Sequence, residues 1–268
     1  MSTEQIPAID VHAHYGRYSR QGVDPKIEEF MTASAELVVR RARLANIEWT
    51  IASPLKALLP RLEGNPIGGN EEAAATIDNT EGMLQYVVVD PLTPATYDQA
   101  AEMLQKPKCV GIKIHPEEHG YPIVEHGRKI FEFAARHRAV VLTHSSEQNS
   151  QADDFVPFIN DYPEVKLILA HIGHGWDGDV SHQIRAIQRC RHENVFADTS
   201  SARSITPGLI EWAVKEVGPE RILFGTDTPL YHAPMQRSRI DYADLSDSDK
   251  RLILRDNAIR VFNLNLGS

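Results

Sequence analysis

Cysteine is nearly absent from this 268-residue chain: only Cys109 and Cys190 occur, too few for a disulfide framework, so two reduced thiols are expected. No apolar run approaches the ~18 residues that span a membrane, and no membrane partner is expected. The opening Met-Ser-Thr-Glu-Gln-Ile-Pro lacks the basic start and apolar core of a secretory signal, so the expected location is cytoplasmic. Positive charge is also short. The 28 Lys and Arg face 37 Asp and Glu, and a net charge of −9 argues against nucleic acid as the main partner. A Gly/Ser-rich linker, a low-complexity tract and internal repeats are missing too, so residues 1–268 are read as one domain.

What is present is ordinary apolar material, 42% of the chain, at a length close to the ~250 residues of a (β/α)8 barrel. Short apolar runs alternate with helical patterns throughout, the signature of a parallel α/β fold. The runs predict strands over 8–12, 49–53, 85–90, 109–115, 139–144, 166–171, 195–198 and 221–225. Helical patterns cover 25–45, 70–79, 97–105, 123–137, 152–161, 180–191, 206–217 and 247–262. The last is entered through a cap at Ser246 with Asp249 three residues on. Eight strands, each followed by helical material, predict a (β/α)8 TIM barrel. The competing open, doubly wound sheet gathers its ligands at one switch point, and neither a G-x-G-x-x-G turn nor a P-loop follows any strand. Here histidine or aspartate closes strand after strand, where barrel enzymes build their active sites.

The first strand reads Ile9-Asp10-Val11-His12-Ala13-His14. Alternation along a strand puts His12 and His14 on one face, where two imidazoles can grip a transition metal. Alone, the pair reads equally well as two histidines at a strand end. Later strands end in His115, His144, His171 and Asp227, and convergence on one rim favours a shared site. The order of H-x-H, fifth-strand His, sixth-strand His and eighth-strand Asp resembles the amidohydrolase superfamily. The segments GIKIHP, LAHIGHG, FADTSS, LFGTDTP and DNAIRVFNL resemble its amidohydrolase 2 branch of metal-dependent hydrolases and decarboxylases, from Asp10 to Leu264.

That resemblance implies His12, His14, His144 and Asp227 as ligands of one divalent ion, most often zinc; manganese, iron or cobalt also suit such a donor set. It implies His171 beside the ion, acting on water or substrate. The expected reaction is hydrolysis of a small carbonyl-containing molecule (amide, lactone or related) by metal-activated water, with Asp227 as proton shuttle. The alternative is metal-dependent decarboxylation of a small carboxylic acid; the compact chain inclines the reading to hydrolysis. A TatD-type deoxyribonuclease ranks lower, because Gly111-Ile112-Lys113 stands where that family places a glutamate ligand. A barrel that binds metal without turnover would not need the pair Asp227 and His171. Lys113 is either a carboxylated lysine bridging a second metal, as in binuclear relatives, or a barrel lysine paired with a carboxylate such as Asp10 or Glu117. His115, His174 and Arg17 are candidate substrate-binding residues, Arg17 for a carboxylate; His115 reads equally as structural and His174 equally as a loop cap. Tyr15, Tyr18, Arg203, Tyr231, His232 and Arg237 lie on the same set of loops. His119, His126, His137, His182 and His192 are expected to be solvated. Relatives often form dimers, so the resemblance allows a homodimer.

Overall fold

The computed structural model describes residues 6–20, 22–59 and 64–266. Strands β1 (Ala8–Tyr15), β2 (Ile47–Pro54), β3 (Met83–Val88), β4 (Cys109–Ile114), β5 (Val140–Thr143), β6 (Lys166–Leu169), β7 (Val195–Asp198) and β8 (Ile222–Leu223) form one parallel sheet in chain order. The ring closes between β8 and β1, where Val11 N donates to Phe224 O (2.9 Å), His14 N to Thr228 O (2.7 Å) and Asp227 N to His12 O (2.7 Å). Helical segments follow every strand, so the architecture is the expected (β/α)8 barrel.

Alternation along the strands sorts the core into two layers. Ile9, Val11, Leu84, Tyr86, Leu142, Ile168, Phe196 and Leu223 pack together inside the barrel. Ile47, Val87, Ile112, Val141, Leu167 and Ile222 face the surrounding helices instead. The last helix closes the barrel's base: Ala258, Val261 and Phe262 join the inner layer, and the Phe262 ring lies 5.9 Å from that of Tyr86. Polar groups are thereby left to the opposite, C-terminal end of the strands.

Differences from the expected elements have local causes. The helix expected over 25–45 is two, Pro25–Met31 and Ala35–Leu44. Between them, Ala33 and Gly16 exchange two backbone hydrogen bonds (2.7 and 3.2 Å), and Ser34 caps the second helix. Helices Leu55–Leu58, Pro116–His119 and Ala233–Asp241 were not anticipated; the first two are too short to show a helical period. The stretch 247–262 is one continuous helix with a π turn over Leu252–Asp256, and Ser246 caps it by accepting from Asp249 N (3.1 Å). His119 and His182 are buried rather than solvated: His119 Nε2 donates to Ala57 O (3.1 Å), and His182 Nε2 meets the Asp177 carboxylate at 2.9 Å. Arg237 is likewise a structural residue, buried and bonded to Asp241 (2.9 Å) and to Ile6 O (3.0 Å).

Candidate metal centre

At the C-terminal end of the barrel, a cavity of about 220 Å³ is lined by His12, His14, Lys113, His115, His144, His171, His174 and Asp227. Five strand ends, with the loops that follow them, supply these side chains, and alternation alone does not deliver them. Along β1, Ile9 and Val11 already face inward, which by strict period two would turn His12 and His14 outward. The pairing of β1 with β2 shifts register between Asp10 and Ala13, and this irregularity brings both histidines back inside. On β6, Ile168 and Ala170 face inward, so His171 should face out. Its left-handed backbone (φ 72°) re-aims it, and Asp198 holds the turn by accepting the His171 N–H at 3.1 Å. Asp227 also has positive φ (55°). Non-glycine residues in this region carry strain, and such residues cluster at functional sites.

The imidazoles are oriented by groups that sequence inspection did not single out. His12 Nδ1 lies 2.9 Å from Asp198 Oδ2, which can only accept, so Nδ1 carries the proton. Ser200 donates its hydroxyl proton to Asp198 and offers its oxygen to His171 Nδ1 at 2.8 Å. His14 Nδ1 meets Ser53 Oγ (3.0 Å) and Ser53 O (3.3 Å); the carbonyl again fixes the proton on Nδ1. All three rings therefore turn an Nε2 lone pair toward the cavity. Gly225 makes the convergence feasible, since a Cβ there would lie 3.1 Å from His12 Cβ and 3.2 Å from Asp198 Cγ. Asp198 could have been found by the rule that found the others: it ends β7 as Asp227 follows β8.

Two lone pairs now point at one carboxylate. His14 Nε2 is 3.0 Å and His12 Nε2 3.6 Å from Asp227 Oδ1. Acceptors so placed repel unless a cation lies among them, and the Lys113 ammonium, 3.0 Å from His12 Nε2, supplies only part of that charge. His12, His14 and Asp227 thus fit a divalent ion by their donor chemistry. Burial keeps the imidazoles ready for it. It pushes His12 well below its usual range, with Lys113 adding to the effect, and does the same to His115 and His171. Burial lowers Lys113 to about 8, against the pull of Asp227 and Asp198. Asp10 is raised to about 7 by burial, while its oxygens accept from His12 N (3.0 Å) and Thr226 Oγ1 (2.6 Å) behind the site.

Other expected site residues fall out differently. His144 Nε2 faces Glu147 Oε1 at 2.9 Å and its ring lies 4.9 Å from that of His171, beside the trio and outside its tight group. His115 stacks on His144 with ring centres 4.4 Å apart and also caps the short helix after β4. Lys113 pairs with His12 rather than with Asp10 or Glu117. Arg17 does not line this cavity. It lines a neighbouring one of about 320 Å³ with Tyr15, Lys56 and Glu72, across a wall shared through Leu55 and Leu59; Arg20 lines the metal cavity instead.

Comparison with known proteins gives a family match and related structures. The model of the family described as Amidohydrolase matches residues 9–264. A gamma-resorcylate decarboxylase from Polaromonas sp. (strain JS666 / ATCC BAA-500) is 31% identical over 119 residues, 39% of this chain and 36% of that protein. One from Rhizobium sp. (strain MTP-10005) is 28% identical over 120 residues, again 36% of its length. The matched stretch therefore spans about a third of each of these curated relatives. Among solved structures, a 2,6-dihydroxybenzoate decarboxylase complexed with 2,6-dihydroxybenzoate superposes with a TM-score of 0.78 at 13% identity, covering 96% of this chain and 99% of the other. A dihydroxybenzoic acid decarboxylase from Polaromonas sp. JS666, with bound manganese and 2-nitroresorcinol, gives 0.75 at 15% identity, covering 97% and 98%. No helix among the described residues is long and apolar enough to cross a membrane.

Proposed function

The chain belongs to the amidohydrolase family, and on that premise we propose that it is a metal-dependent decarboxylase of a small, hydroxylated aromatic acid. This replaces the hydrolase favoured from sequence by its alternative. Support comes from relatives whose names specify decarboxylation of dihydroxybenzoates. The observation that carries the reading is the mixed lining of the cavity. Leu55, Leu58, Leu59 and Leu230, with Tyr18 and Tyr231, line the same cavity as the histidines, Lys113 and Asp227. A single aromatic ring can lie against the apolar residues while its carboxylate and hydroxyl groups meet the polar ones.

His12, His14 and Asp227 would hold the divalent ion, with His144, the further ligand that the resemblance implies, lining the same cavity. Manganese ranks ahead of zinc because a similar structure carries it. When bound, the ion supplies positive charge that orients an anionic substrate and stabilises charge developing during reaction. In the reaction, the bond from ring carbon to carboxyl carbon breaks, carbon dioxide leaves, and a proton takes its place. Asp227 faces the cavity and is the acid placed to hold that proton and hand it to the ring carbon. His171, locked by Asp198 and Ser200, positions the departing carboxyl group; the buried neighbours exclude water.

The test is incubation of manganese-loaded protein with 2,6-dihydroxybenzoate and other hydroxybenzoates, following carbon dioxide release and the decarboxylated phenol. A parallel panel of amides and lactones runs beside it. Carbon dioxide release that is lost on chelation supports the proposal. Hydrolysis of the second panel without carbon dioxide from the first returns the protein to the hydrolases.

A further inference from the structure

Lys113 places a buried ammonium in the metal cavity, and the reaction proposed above gives it no task. Strand β4 puts it there. Ile112 and Ile114 pack outward against the helices, so Gly111, Lys113 and His115 face the barrel interior. Val140 and Tyr86 fill the space at Gly111, where a Cβ would lie 2.6 Å from Val140 O and 3.2 Å from the Tyr86 ring. Lys113 projects beyond them toward the mouth and is only 1% exposed.

Among the described residues this ammonium has one hydrogen-bond partner, His12 Nε2 at 3.0 Å. Asp227 and Asp198 favour its charged form through space, without meeting it directly. His12 Nδ1 already donates to Asp198 (2.9 Å), so Nε2 carries the ring's available lone pair. That lone pair is also what His12 offers a divalent ion, and it serves one cation at a time. Loading the site therefore takes its partner from Lys113 and leaves an ammonium beside a second positive charge, away from water. A buried ammonium in that position needs an anionic acceptor.

We propose that Lys113 is a substrate-anchoring residue: in the metal-loaded protein its ammonium binds an anionic oxygen of the acid, next to the oxygen that meets the ion. This role rests on the acid-binding reading above. Two positive poles side by side favour a ligand with two neighbouring oxygens, supplied by the carboxylate alone or by the carboxylate and an ortho hydroxyl. The lysine acts here as a free ammonium, in contrast to a carboxylated lysine bridging two metals. Because the same ammonium competes with the ion for His12, Lys113 weakens metal binding and strengthens acid binding.

Titration calorimetry on the parent, Lys113→Met and Lys113→Gln tests this pair of opposite effects. Chelator-stripped protein is titrated with manganese, and manganese-saturated protein with benzoate and with 2-hydroxybenzoate. Both variants are expected to bind manganese at least about fivefold more tightly, from removal of a neighbouring like charge. Acid binding should weaken at least about tenfold, the worth of a hydrogen bond to a charged group. Weaker binding of benzoate assigns the ammonium to the carboxylate; an effect confined to 2-hydroxybenzoate assigns it to the ortho oxygen. Thermal melts in chelator verify that the variants fold. A merely structural lysine would weaken metal and acid binding together, and that result overturns the anchor. Acid affinity unchanged in both variants also overturns it, while leaving the acid-binding reading intact. Lys113-dependent acid binding in a protein that releases no carbon dioxide keeps the anchor and overturns only the decarboxylase. Failure of the parent to bind either acid overturns both.

Discussion

The barrel has one interior but two regimes, and the boundary between them falls within a single step of β1. Val11 packs downward among Leu142, Ile168 and Phe196, whereas His12 sits above it beside Asp198 and Asp227. The base is stabilised by shape and apolar burial, with one buried hydroxyl, that of Tyr86, satisfied by donating to Val11 O (2.9 Å). At the mouth, burial is unfavourable for nearly every group, and each is retained only through a specific acceptor or donor. The lesson is that the two ends should fail differently. Damage at the base should cost stability and spare chemistry per folded molecule; damage at the mouth should do the reverse.

The largest effect is expected at Asp227, which serves as ligand and proton carrier in the proposed reaction. Asp227→Asn should lower turnover by roughly 10²–10⁴-fold, the usual worth of a positioned acid or base, with lower metal content and a melting curve close to the parent. Loss of folding in place of loss of turnover would break the comparison at its strongest point. Next is Phe196→Ala in the inner layer, where the side chain is 1% exposed. A cost of about 3–5 kcal/mol in urea unfolding is expected, with turnover per folded molecule unchanged.

Asp198→Asn sharpens the boundary, since Asp198 meets the ligand His12 at Nδ1, on the far side from Nε2. Metal affinity should fall about 10–100-fold, because Asn can donate to His12 Nδ1 and release its fixed tautomer. Titration of the variant with manganese measures this; unchanged affinity would remove Asp198 from the oriented set. The smallest effect is expected from Arg17→Ala. Because Arg17 lines the neighbouring cavity, KM for an aromatic acid should change by no more than about twofold, in the range of a substitution outside the site. A large rise in KM would join the two cavities into one substrate pocket.

Much of this site was legible residue by residue. His12, His14, His115, His144, His171 and Asp227 were all found because each ends or follows a strand, and they do line one cavity. Their grouping was not legible. His171 comes inward through a left-handed residue, and His12 and His14 through a register shift, neither of which has a sequence period. Asp198, Ser200 and Ser53 were missed because an orienting residue acts on a neighbour distant in the chain, as Asp198 does on His12. Arg17 was placed by proximity to the first strand, while the loop carries it across the Leu55 and Leu59 wall.

Read as a string, then, the amino-acid order already set the number of strands, their alternation with helices and the end of the barrel that would hold chemistry. Those properties follow from local periodicity and from where polar residues interrupt apolar runs. The grouping of the candidate ion's donors, the tautomers of its imidazoles and the turn of His144 toward Glu147 came only with folding. Each depends on distances between residues far apart in the chain, and on backbone turns that local preference opposes and that the packed barrel alone holds in place.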